Sequence, residues 1–362
     1  MTNMTKVVFP ISFFISFLAL GCIFSSDEDR FHDHAGHLNS ESFDVEINYG
    51  TVDIIADTIV SHLQGPSATI VLKSNSEYDQ KVVFKLKNII QSPLPESLND
   101  RGLIINSDEN NTVLYSLKLK AGEEFKTTIS TPQDTNGYSF GAVGDIQYNI
   151  EAAEKLSKDI ADKNLAFMVI LGDLVQRGTK KEYAWAYDFT SQFPVPVYVI
   201  YGNHDKGSIL SDGYKYFRQY YGSTNTKFKF NGDLFLLLDA ADQGLSASVF
   251  DFAQDALKST SARSKFVFQH TPPFEESGFR NNSFNTSFSA ARYINMMIDH
   301  DVDLILSGHI HTYQDFTIEG VRNLIVGTGG GIPERFDGYG NGYVIVNKNQ
   351  EKDLFTVNRI EL

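Results

Sequence analysis

The sequence predicts a chain of two folded parts, a small β-sandwich followed by an α/β domain with a buried sheet. Residues 45–135 contain short runs in which apolar and polar side chains alternate, as in residues 82–87 and 115–120. That period of two is typical of half-buried strands. Across residues 136–362, strongly apolar runs alternate with stretches at helical spacing. This second pattern is typical of an α/β domain whose sheet is buried on both faces.

Composition limits the class of protein. The chain has 362 residues, enough for two hydrophobic cores, and 13% of them are aromatic, which is not the composition of a disordered chain. The net charge of −14 disfavours nucleic acid as a partner, because phosphate binding needs a basic surface. One cysteine, Cys22, excludes an intrachain disulfide framework and an all-cysteine metal site.

The first residues have the features of an export signal. Lys6 is the only charged residue before Asp27, and an apolar run over residues 7–20 leads to Gly21 and Cys22. A positive start, a short apolar stretch and a small residue at its end are typical of secretory signals, and the run is shorter than the about 20 residues needed to cross a bilayer. Because Gly21 directly before Cys22 resembles a bacterial lipobox, we expect residues 1–21 to be a lipoprotein signal peptide. Lipidated Cys22 would then anchor the protein in the membrane of the bacterial cell envelope, outside the cytoplasm, with residues 22–44 as an acidic, His-rich tether. The alternative is a plain signal anchor.

Each element of residues 45–362 is indicated by local pattern. In residues 45–135, turns rich in Asn, Asp and Gly separate the strands, as at residues 99–102 and 107–111, and no cluster of His, Asp or Cys indicates a site there. The apolar runs of the second part cover residues 140–143, 166–171, 195–201, 234–238, 265–268, 304–306 and 324–326. Helical spacing joins Ala153, Leu156 and Ile160, and again Tyr293, Met296 and Met297.

Polar side chains follow five of these apolar runs at the point where each predicted strand ends. They are Gly144-Asp145-Ile146-Gln147, Gly172-Asp173, Gly202-Asn203-His204-Asp205, His270 and Gly308-His309-Ile310-His311. Taken singly, each group is more typical of a turn, a cap or a structural histidine than of a ligand. Because the carboxyl ends of strands meet at one edge of an α/β sheet, the five together predict a site rich in oxygen and imidazole donors.

The order of these groups resembles the calcineurin-like metallophosphoesterase superfamily, over roughly residues 139–331. The resemblance implies a four-layer αββα sandwich, in which two mixed sheets are flanked by helices, with a dinuclear metal centre at the strand ends. It implies one metal position formed by Asp145, Gln147, Asp173 and His311. It implies a second position formed by Asp173, Asn203, His270 and His309, so that Asp173 bridges the two ions.

The implied chemistry is hydrolysis of a phosphate monoester or diester. Two ions held about 3.5–4 Å apart lower the pKa of a bridging water, so a metal-bound hydroxide would attack phosphorus in line. The resemblance gives His204 the role of contacting the leaving-group oxygen. Donors of nitrogen and oxygen without sulfur suit Mn, Fe or Zn as the divalent or trivalent ions. The substrate can be a small molecule or a macromolecule, and we expect the loops 147–150, 206–214 and 274–286 to shape its pocket.

Two positions depart from the family pattern. Gln147 stands where a histidine is usual, and an amide oxygen is a harder donor than imidazole, so this position is expected to favour Mn or Fe over Zn or to bind metal more weakly. Gln176 stands where purple acid phosphatases have a tyrosine, so a purple colour is not expected. The residues 327–331, rich in Gly, are interpreted as a turn beside the site rather than as a phosphate loop, because they lack the lysine of a P-loop.

A second function is compatible with the same fold. A surface lipoprotein without catalytic activity could use this architecture for binding or adhesion. The complete set of aspartates, Asn203 and histidines disfavours that alternative, because a binding module has no need of a full two-metal set.

Overall fold

The structure is a computed structural model that describes residues 36–90, 102–106, 111–129, 137–208, 211–278 and 282–362, with the backbone alone at 102–106. The predicted signal peptide, Cys22 and residues 22–35 of the predicted tether lie outside the described residues. No helix among the described residues combines the length and apolar character needed to cross a membrane.

The first part of the described chain, up to residue 129, is made of strands. They are β1 (His37–Asn39), β2 (Phe43–Ile47), β3 (Asp53–Ile55), β4 (Thr58–His62), β5 (Ala68–Ser74), β6 (Gln80–Lys87), β7 (Gly102–Asn106), β8 (Thr112–Leu119) and β9 (Glu124–Ile129). Sheet 1 has the order β1-β2-β5-β9, and sheet 2 has the order β3-β4-β6-β8-β7. Alternate side chains of both sheets share one buried core, which includes Val45, Leu72, Phe84 and Leu117. The N-terminal β-rich region predicted from alternation is therefore present.

One strand lies where the sequence pattern predicts a tether. β1 pairs antiparallel with β2, with His37 opposite Glu46 and Asn39 opposite Asp44. Its three residues are too few to show a period of two, so nothing in the local sequence distinguishes them from the acidic stretch before them. The first paired residue therefore comes before residue 45.

The rest of the chain mixes strands and helices. Its strands are β10 (Tyr138–Val143), β11 (Phe167–Ile170), β12 (Val197–Val199), β13 (Thr226–Phe230), β14 (Asp233–Leu238), β15 (Lys265–Gln269), β16 (Leu304–Ser307), β17 (Tyr313–Ile318), β18 (Val321–Val326), β19 (Gly342–Asn349) and β20 (Leu354–Glu361). Its helices are α1 (Ile150–Ile160), α2 (Lys180–Ser191), α3 (Asn203–Lys206), α4 (Gly213–Tyr220), α5 (Ala247–Lys258) and α6 (Ser287–Asp299). Sheet 3 has the order β12-β11-β10-β19-β20, and sheet 4 has the order β13-β14-β15-β16-β18-β17.

Sheets 3 and 4 stack face to face. Phe140 and Phe167 of sheet 3 and Phe235 and Phe268 of sheet 4 belong to one buried cluster between them. On the outer face of sheet 3, the helices α1, α2 and α4 bury residues such as Leu156 against the strands. On the outer face of sheet 4, α5 and α6 do the same. The order helix, sheet, sheet, helix confirms the predicted four-layer α/β sandwich.

Side-chain caps fix where the helices begin. Asn149 accepts a hydrogen bond from the Ala152 amide before α1, and Ser246 accepts one from Val249 before α5. Thr179 and Glu182 form a reciprocal capping box at the start of α2. Since α1 follows β10 through Asn149, this cap also places the residues between strand and helix beside the sheet edge.

Strand direction brings the predicted site residues to one place. β10, β11 and β12 are mutually parallel, and β14, β15, β16 and β18 are parallel in the stacked sheet. The carboxyl ends of β10, β11, β12, β15 and β16 therefore open onto a common edge. β13, β17, β19 and β20 lie in antiparallel pairs, and their partly exposed residues explain why uniform apolar runs do not reveal them.

Candidate metal centre

All eight predicted site residues of the α/β part lie around one cavity edge. The His270 Nε2 atom lies 3.3 Å from the Asp173 Oδ1 atom and 2.9 Å from the Asn203 Oδ1 atom. The His309 Nδ1 atom lies 3.2 Å from the same His270 nitrogen. The ligand atoms of Asp173, His270 and His309 all lie within 4.8 Å of one another, which makes them a candidate metal-binding cluster.

The residues expected at the first metal position adjoin this cluster. The His311 Nε2 atom lies 3.4 Å from the Asp145 Oδ1 atom. The Gln147 Nε2 atom lies 3.1 Å from the same His311 nitrogen and donates a hydrogen bond to it. The second carboxylate oxygen of Asp145 accepts a hydrogen bond of 2.7 Å from the His309 amide. One aspartate thus contacts residues of both predicted positions, and Asp173 lies beside the second.

The backbone reaches these positions through uncommon conformations. Asp145, Gln147, Asp173 and His309 all have positive φ angles, between 52° and 69°. This left-handed region costs free energy for residues other than glycine, and such residues concentrate at functional sites. Short connections directly after buried strands therefore present these side chains to the sheet edge.

Unpaired buried atoms test whether a cation fits. The Asp145 Oδ1, Asp173 Oδ2 and His309 Nε2 atoms are buried and have no hydrogen-bond partner among the described residues. Asp145 and Asp173 are 0% and 1% exposed. Leaving buried carboxylate and imidazole atoms without partners is costly, and coordination to a cation would satisfy all three. The donor set and its burial therefore fit divalent metal.

The pKa values of this cluster move in opposite directions. Burial lowers the pKa of His270, but the negative charge of Asp173 outweighs that effect and raises the pKa to about 10. Burial and the nearby charge of His270 lower the pKa of His309 to about 3. Burial raises the pKa of Asp145, and although burial acts the same way on Asp173, the charge of His270 holds the pKa of Asp173 below its usual range. A proton on His270 thus supplies positive charge beside the carboxylates, a role that a cation can take.

Main-chain carbonyls orient the histidines, which the sequence does not reveal. His270 Nδ1 donates to the Leu171 carbonyl at 2.8 Å, and His311 Nδ1 donates to the Ile332 carbonyl at 2.9 Å. Because Nδ1 of each ring is the fixed donor, Nε2 is the nitrogen that offers a lone pair to the cluster when the ring is neutral, as metal binding requires. The site therefore includes positioning groups from residues far apart in the chain.

His204 is oriented in the same manner. Its Nδ1 donates to the Gln176 carbonyl at 2.9 Å, and its Nε2 lies 4.0 Å from the Asp173 Oδ2 atom. Its side chain is 35% exposed, whereas that of Asp173 is 1% exposed. His204 therefore faces the open side of the cluster, and Gln176, which replaces the tyrosine of purple acid phosphatases, lies beside it.

Asp205 is a further residue of the site, and the sequence pattern predicts no role for it. It is 0% exposed, and its carboxylate accepts hydrogen bonds from the amides of Asp173, Val175 and Gly202, at 2.8, 3.1 and 2.9 Å. The signal that could have found it is its position, directly after His204 in a strand-end group. It fastens the loops after β11 and β12 to each other.

The cavity above the cluster has a volume of about 730 Å³. Its floor is made of predicted site residues, and its wall includes Asn282 and residues 332–336. Asn282 belongs to one of the three loops expected to shape the pocket. Residues 206–208 and 211–214 do not line the cavity, and the segment 332–336, which sequence reasoning missed, does. The amides of Gly329 and Gly331 donate to the carbonyls of Gly144 and Asp145, as suits a turn beside the site.

Comparisons with known proteins agree on the class. Residues 138–313 match the family model described as calcineurin-like phosphoesterase. A probable cyclic nucleotide phosphodiesterase of Rhodopseudomonas palustris is 25% identical over 189 residues, which are 48% of this chain and 68% of that protein. The matched part of the chain, residues 138–313, has the sequence features of the calcineurin-like metallophosphoesterase superfamily, and the matches support a hydrolase of phosphate ester bonds.

Two solved structures are among those to which the chain is similar at low sequence identity. Purple acid phosphatase PPD1 from yellow lupin is 12% identical, with a TM-score of 0.47, over 87% of this chain and 74% of that one. A dimetal phosphatase from Danio rerio is also 12% identical, with a TM-score of 0.44, over 61% of this chain and 98% of that one.

Proposed function

We propose that this metal-dependent phosphoesterase hydrolyses phosphate monoesters or diesters at a dinuclear centre formed by Asp145, Gln147, Asp173, Asn203, His270, His309 and His311. The observation that carries the proposal is the set of unpaired buried atoms on Asp145, Asp173 and His309. They adjoin the compact cluster of Asp173, His270 and His309. Two bound cations would supply a nucleophile at neutral pH and would polarise the phosphate.

The side chains of this chain have separate tasks in the proposed reaction. Asp173 would be shared by the two metal positions, and Asn203 and the histidines would complete them. Bound cations would make a locally acidic site positive, which would allow an anionic ester to approach despite the net charge of −14. His204, held through Nδ1 by the Gln176 carbonyl, presents Nε2 toward the cavity. With both ring nitrogens protonated, it would give the Nε2 proton to the leaving oxygen or stabilise the charge that develops there.

Chelation and two substitutions test this proposal. We expect hydrolysis of p-nitrophenyl phosphate or bis(p-nitrophenyl) phosphate to stop with EDTA and to return with Mn²⁺. Asp173→Ala should lower kcat/KM by about 10³-fold or more and reduce the bound metal from two ions per chain. His204→Ala should lower kcat about 10²-fold with the metal content unchanged. His300→Ala, at the end of α6, is the matched control.

The proposal would be contradicted if the wild-type protein and both variants were equally inert on monoesters and diesters over a wide range of metal concentration and pH. A single bound ion per active chain would contradict the dinuclear arrangement alone. Including both esters in the screen matters, because the Rhodopseudomonas relative is described as a phosphodiesterase.

We further propose that the Gln147 position prefers Mn or Fe over Zn. An amide can turn so that its oxygen, rather than the nitrogen that contacts His311, faces a cation, and that oxygen is a harder donor than imidazole. Gln147→His should therefore raise the affinity for Zn²⁺ in a calorimetric titration. Equal, tight Zn²⁺ occupancy of both positions in the wild-type protein would contradict this preference.

For the cellular location, we propose a lipid anchor at Cys22 that holds the enzyme in the bacterial cell envelope. Support comes from the basic start, the apolar run and the small residue before the cysteine. Cells expressing the wild-type chain should incorporate labelled palmitate into it, and the Cys22→Ser variant should not. Equal labelling of both proteins would exclude attachment at this residue.

A further inference from the structure

The segment 332–340, called the wall, lines one side of the active-site cavity through residues 332–336 and adds groups that the metal cluster does not use. Ile332, Pro333, Glu334, Arg335 and Phe336 line the cavity together with the site residues. At about 730 Å³, the cavity has more room than a phosphate ion needs and lies in the range of sites for organic molecules. The wall therefore faces the organic part of an ester whose phosphate lies at the cluster.

This wall is anchored to the site. The Ile332 carbonyl accepts a hydrogen bond from His311 Nδ1, and the Glu334 amide donates to the His311 carbonyl, each at 2.9 Å. Further along, Thr312 donates to the Asp337 carboxylate. Because a predicted metal ligand and its neighbour hold the segment, the wall keeps a fixed position relative to the cluster.

The far end of the wall is also held. The Arg359 Nη2 atom donates to the Gly340 carbonyl at 2.9 Å, and the guanidinium of Arg359 lies 4.6 Å from the centre of the Tyr339 ring. Hydrogen bonds at both ends limit the motion of the residues between them. A wall fixed in this way can select among substrates without first having to be ordered.

The wall presents apolar surface to the solvent-filled cavity. Ile332 is 84% exposed and Phe336 is 41% exposed. Scattered exposed apolar residues need no explanation, but two of them lining one cavity beside a polar cluster offer area that a bound molecule can cover. Covering such area is favourable by about 25 cal/mol for each Å². The apolar side of the cavity therefore fits an aryl or similarly apolar group.

The wall also carries one positively charged side chain, Arg335, next to the acidic Glu334. Arg335 is the one lysine or arginine among the described residues that line the cavity, and it makes no ion pair with any described residue. A guanidinium can donate two hydrogen bonds to a phosphate, in a fixed fork. Its place between Ile332 and Phe336 in sequence puts this donor next to the apolar surface.

We propose, on the basis of the proposed function, that the wall selects phosphate esters with an apolar organic group, which packs on Ile332 and Phe336 while Arg335 binds a phosphate oxygen turned away from the metal cluster. The substrate class is organic phosphate esters of aryl or nucleoside size. Small polar esters and inorganic polyphosphates would gain nothing from the apolar part of the wall.

Binding of two phosphonates to the Mn²⁺-loaded protein tests the wall without any turnover. Phenylphosphonate and methylphosphonate have the same charged group and differ in apolar size, and their C–P bond is not an ester. By calorimetry, the wild-type protein should bind phenylphosphonate about tenfold more tightly. The double variant Ile332→Ser, Phe336→Ser should reduce that preference to about twofold, with little change for methylphosphonate. Ile55→Ser, which removes an isoleucine that is 57% exposed in sheet 2, should keep the preference.

Substitution of the arginine gives a different pattern. Arg335→Gln should weaken both phosphonates by a similar factor of about ten, and Arg335→Lys should recover part of the affinity for both. No preference in the wild-type protein, or a preference that the double variant keeps, overturns the wall. Failure to hydrolyse any ester, with the phosphonate preference intact and lost in the double variant, contradicts the proposed reaction and leaves the wall standing. Ester hydrolysis together with equal binding of both phosphonates in all proteins contradicts the role of the wall and leaves the proposed reaction standing.

Discussion

The carboxylate of Asp205 holds the backbone that carries Asp173. It accepts the amides of Asp173, Val175 and Gly202, so it joins the ends of two strands. A buried carboxylate with three amide donors cannot be replaced by an amide without turning an N–H group toward one of them. Asp205 therefore acts on the metal cluster through its neighbours rather than by contact.

The first prediction concerns this residue. Asp205→Asn should weaken Mn²⁺ binding by about 10- to 100-fold, because the Asp173 backbone loses its support. Calorimetric titration and metal analysis measure the effect. Asp212→Asn is the control, since this exposed residue caps α4, where asparagine serves equally well. Unchanged affinity for Mn²⁺ in the Asp205 variant would show that the loop after β11 keeps its conformation without the Asp205 carboxylate.

Residues also show what the sequence could and could not reveal. The strand-end groups could be predicted from the sequence because each is a polar ligand type that directly follows an apolar run. Their order along the chain is what resembles the family. The carbonyls of Leu171 and Ile332 that orient His270 and His311 were not readable, because a main-chain oxygen has no sequence signature. The ligand assignments themselves stay predictions until a metal is bound.

At the scale of elements, the turn after β11 shows why a glycine is required at one position. Gly172 has a φ angle of +87°, and a Cβ atom there would lie 2.5 Å from the His270 Nδ1 atom. Any side chain would therefore disturb the nitrogen that donates to Leu171 and fixes the ring. The turn and the histidine, which follow different strands, constrain each other.

The second prediction separates conformational cost from this collision. Gly122→Ala, at a φ angle of +65° with nothing within 4 Å of the added atom, should cost about 1–2 kcal/mol of unfolding free energy and leave metal binding intact. Gly172→Ala should cost more than that and also weaken Mn²⁺ binding by about tenfold or more. Chemical denaturation and calorimetry measure the two effects. Equal behaviour of both variants would contradict the role given to the collision.

Another element-scale feature joins the two parts of the chain. The side-chain amide of Asn88 accepts from the Val197 amide at 2.7 Å and donates to the Val197 carbonyl at 2.8 Å. Gln64 does the same at Val199, at 3.0 and 3.4 Å. These residues are on β12, the edge strand of sheet 3. Two side chains thus pair with alternate residues of an edge strand as a neighbouring strand would.

The third prediction follows from that pairing. Asn88→Ala should lower the free energy of unfolding by about 2–4 kcal/mol, because both backbone groups of Val197 lose their buried partners. Asn75→Ala, whose amide makes exposed hydrogen bonds to Ser40 and Asp44, should cost less than about 1 kcal/mol. A urea denaturation series compares them, and equal costs would show that the amide pairing contributes little.

At the scale of the whole molecule, His62 links the unfolding free energy to pH. The ring is buried against those of Tyr187 and Tyr221, and neither ring nitrogen has a hydrogen-bond partner among the described residues. Burial first, and then the charge of Lys87, lowers the pKa of His62 from 6.5 to about 3. The unfolded chain therefore binds a proton between these values that the folded chain does not.

We predict that His62 makes the free energy of unfolding fall as the pH falls below 6.5. The contribution of His62 is fully present above pH 6.5, and it is lost as the pH falls from there toward 3, by about 1.4 kcal/mol per pH unit. His62→Phe should reduce the slope of unfolding free energy against pH in this window by that amount. Ile55→Phe, at an exposed position of β3 without a titratable group, should leave the slope unchanged. A His62→Phe slope equal to that of the wild-type protein would contradict the linkage.

The overall architecture was predictable where whole stretches share one pattern. Fully apolar runs revealed the parallel strands β11 and β14, and helical spacing in residues 153–160 revealed α1. Strands that are half exposed in antiparallel pairs, such as β17 and β20, resemble amphipathic loops in the sequence. The stacking of sheets 3 and 4, which brings β15 and β16 beside β10, depends on contacts between distant residues and follows from the family resemblance alone.

The amides of Asn88 and Gln64 bear on how the catalytic part can be produced separately. A shortened chain starting at Gly137 would lack both residues and would leave the amides and carbonyls of Val197 and Val199 open at the rim of a sheet. Such a rim invites pairing with a second molecule. The shortened enzyme should therefore self-associate or precipitate unless polar substitutions prevent other strands from pairing with β12. The N-terminal part thus protects this edge strand from aggregation.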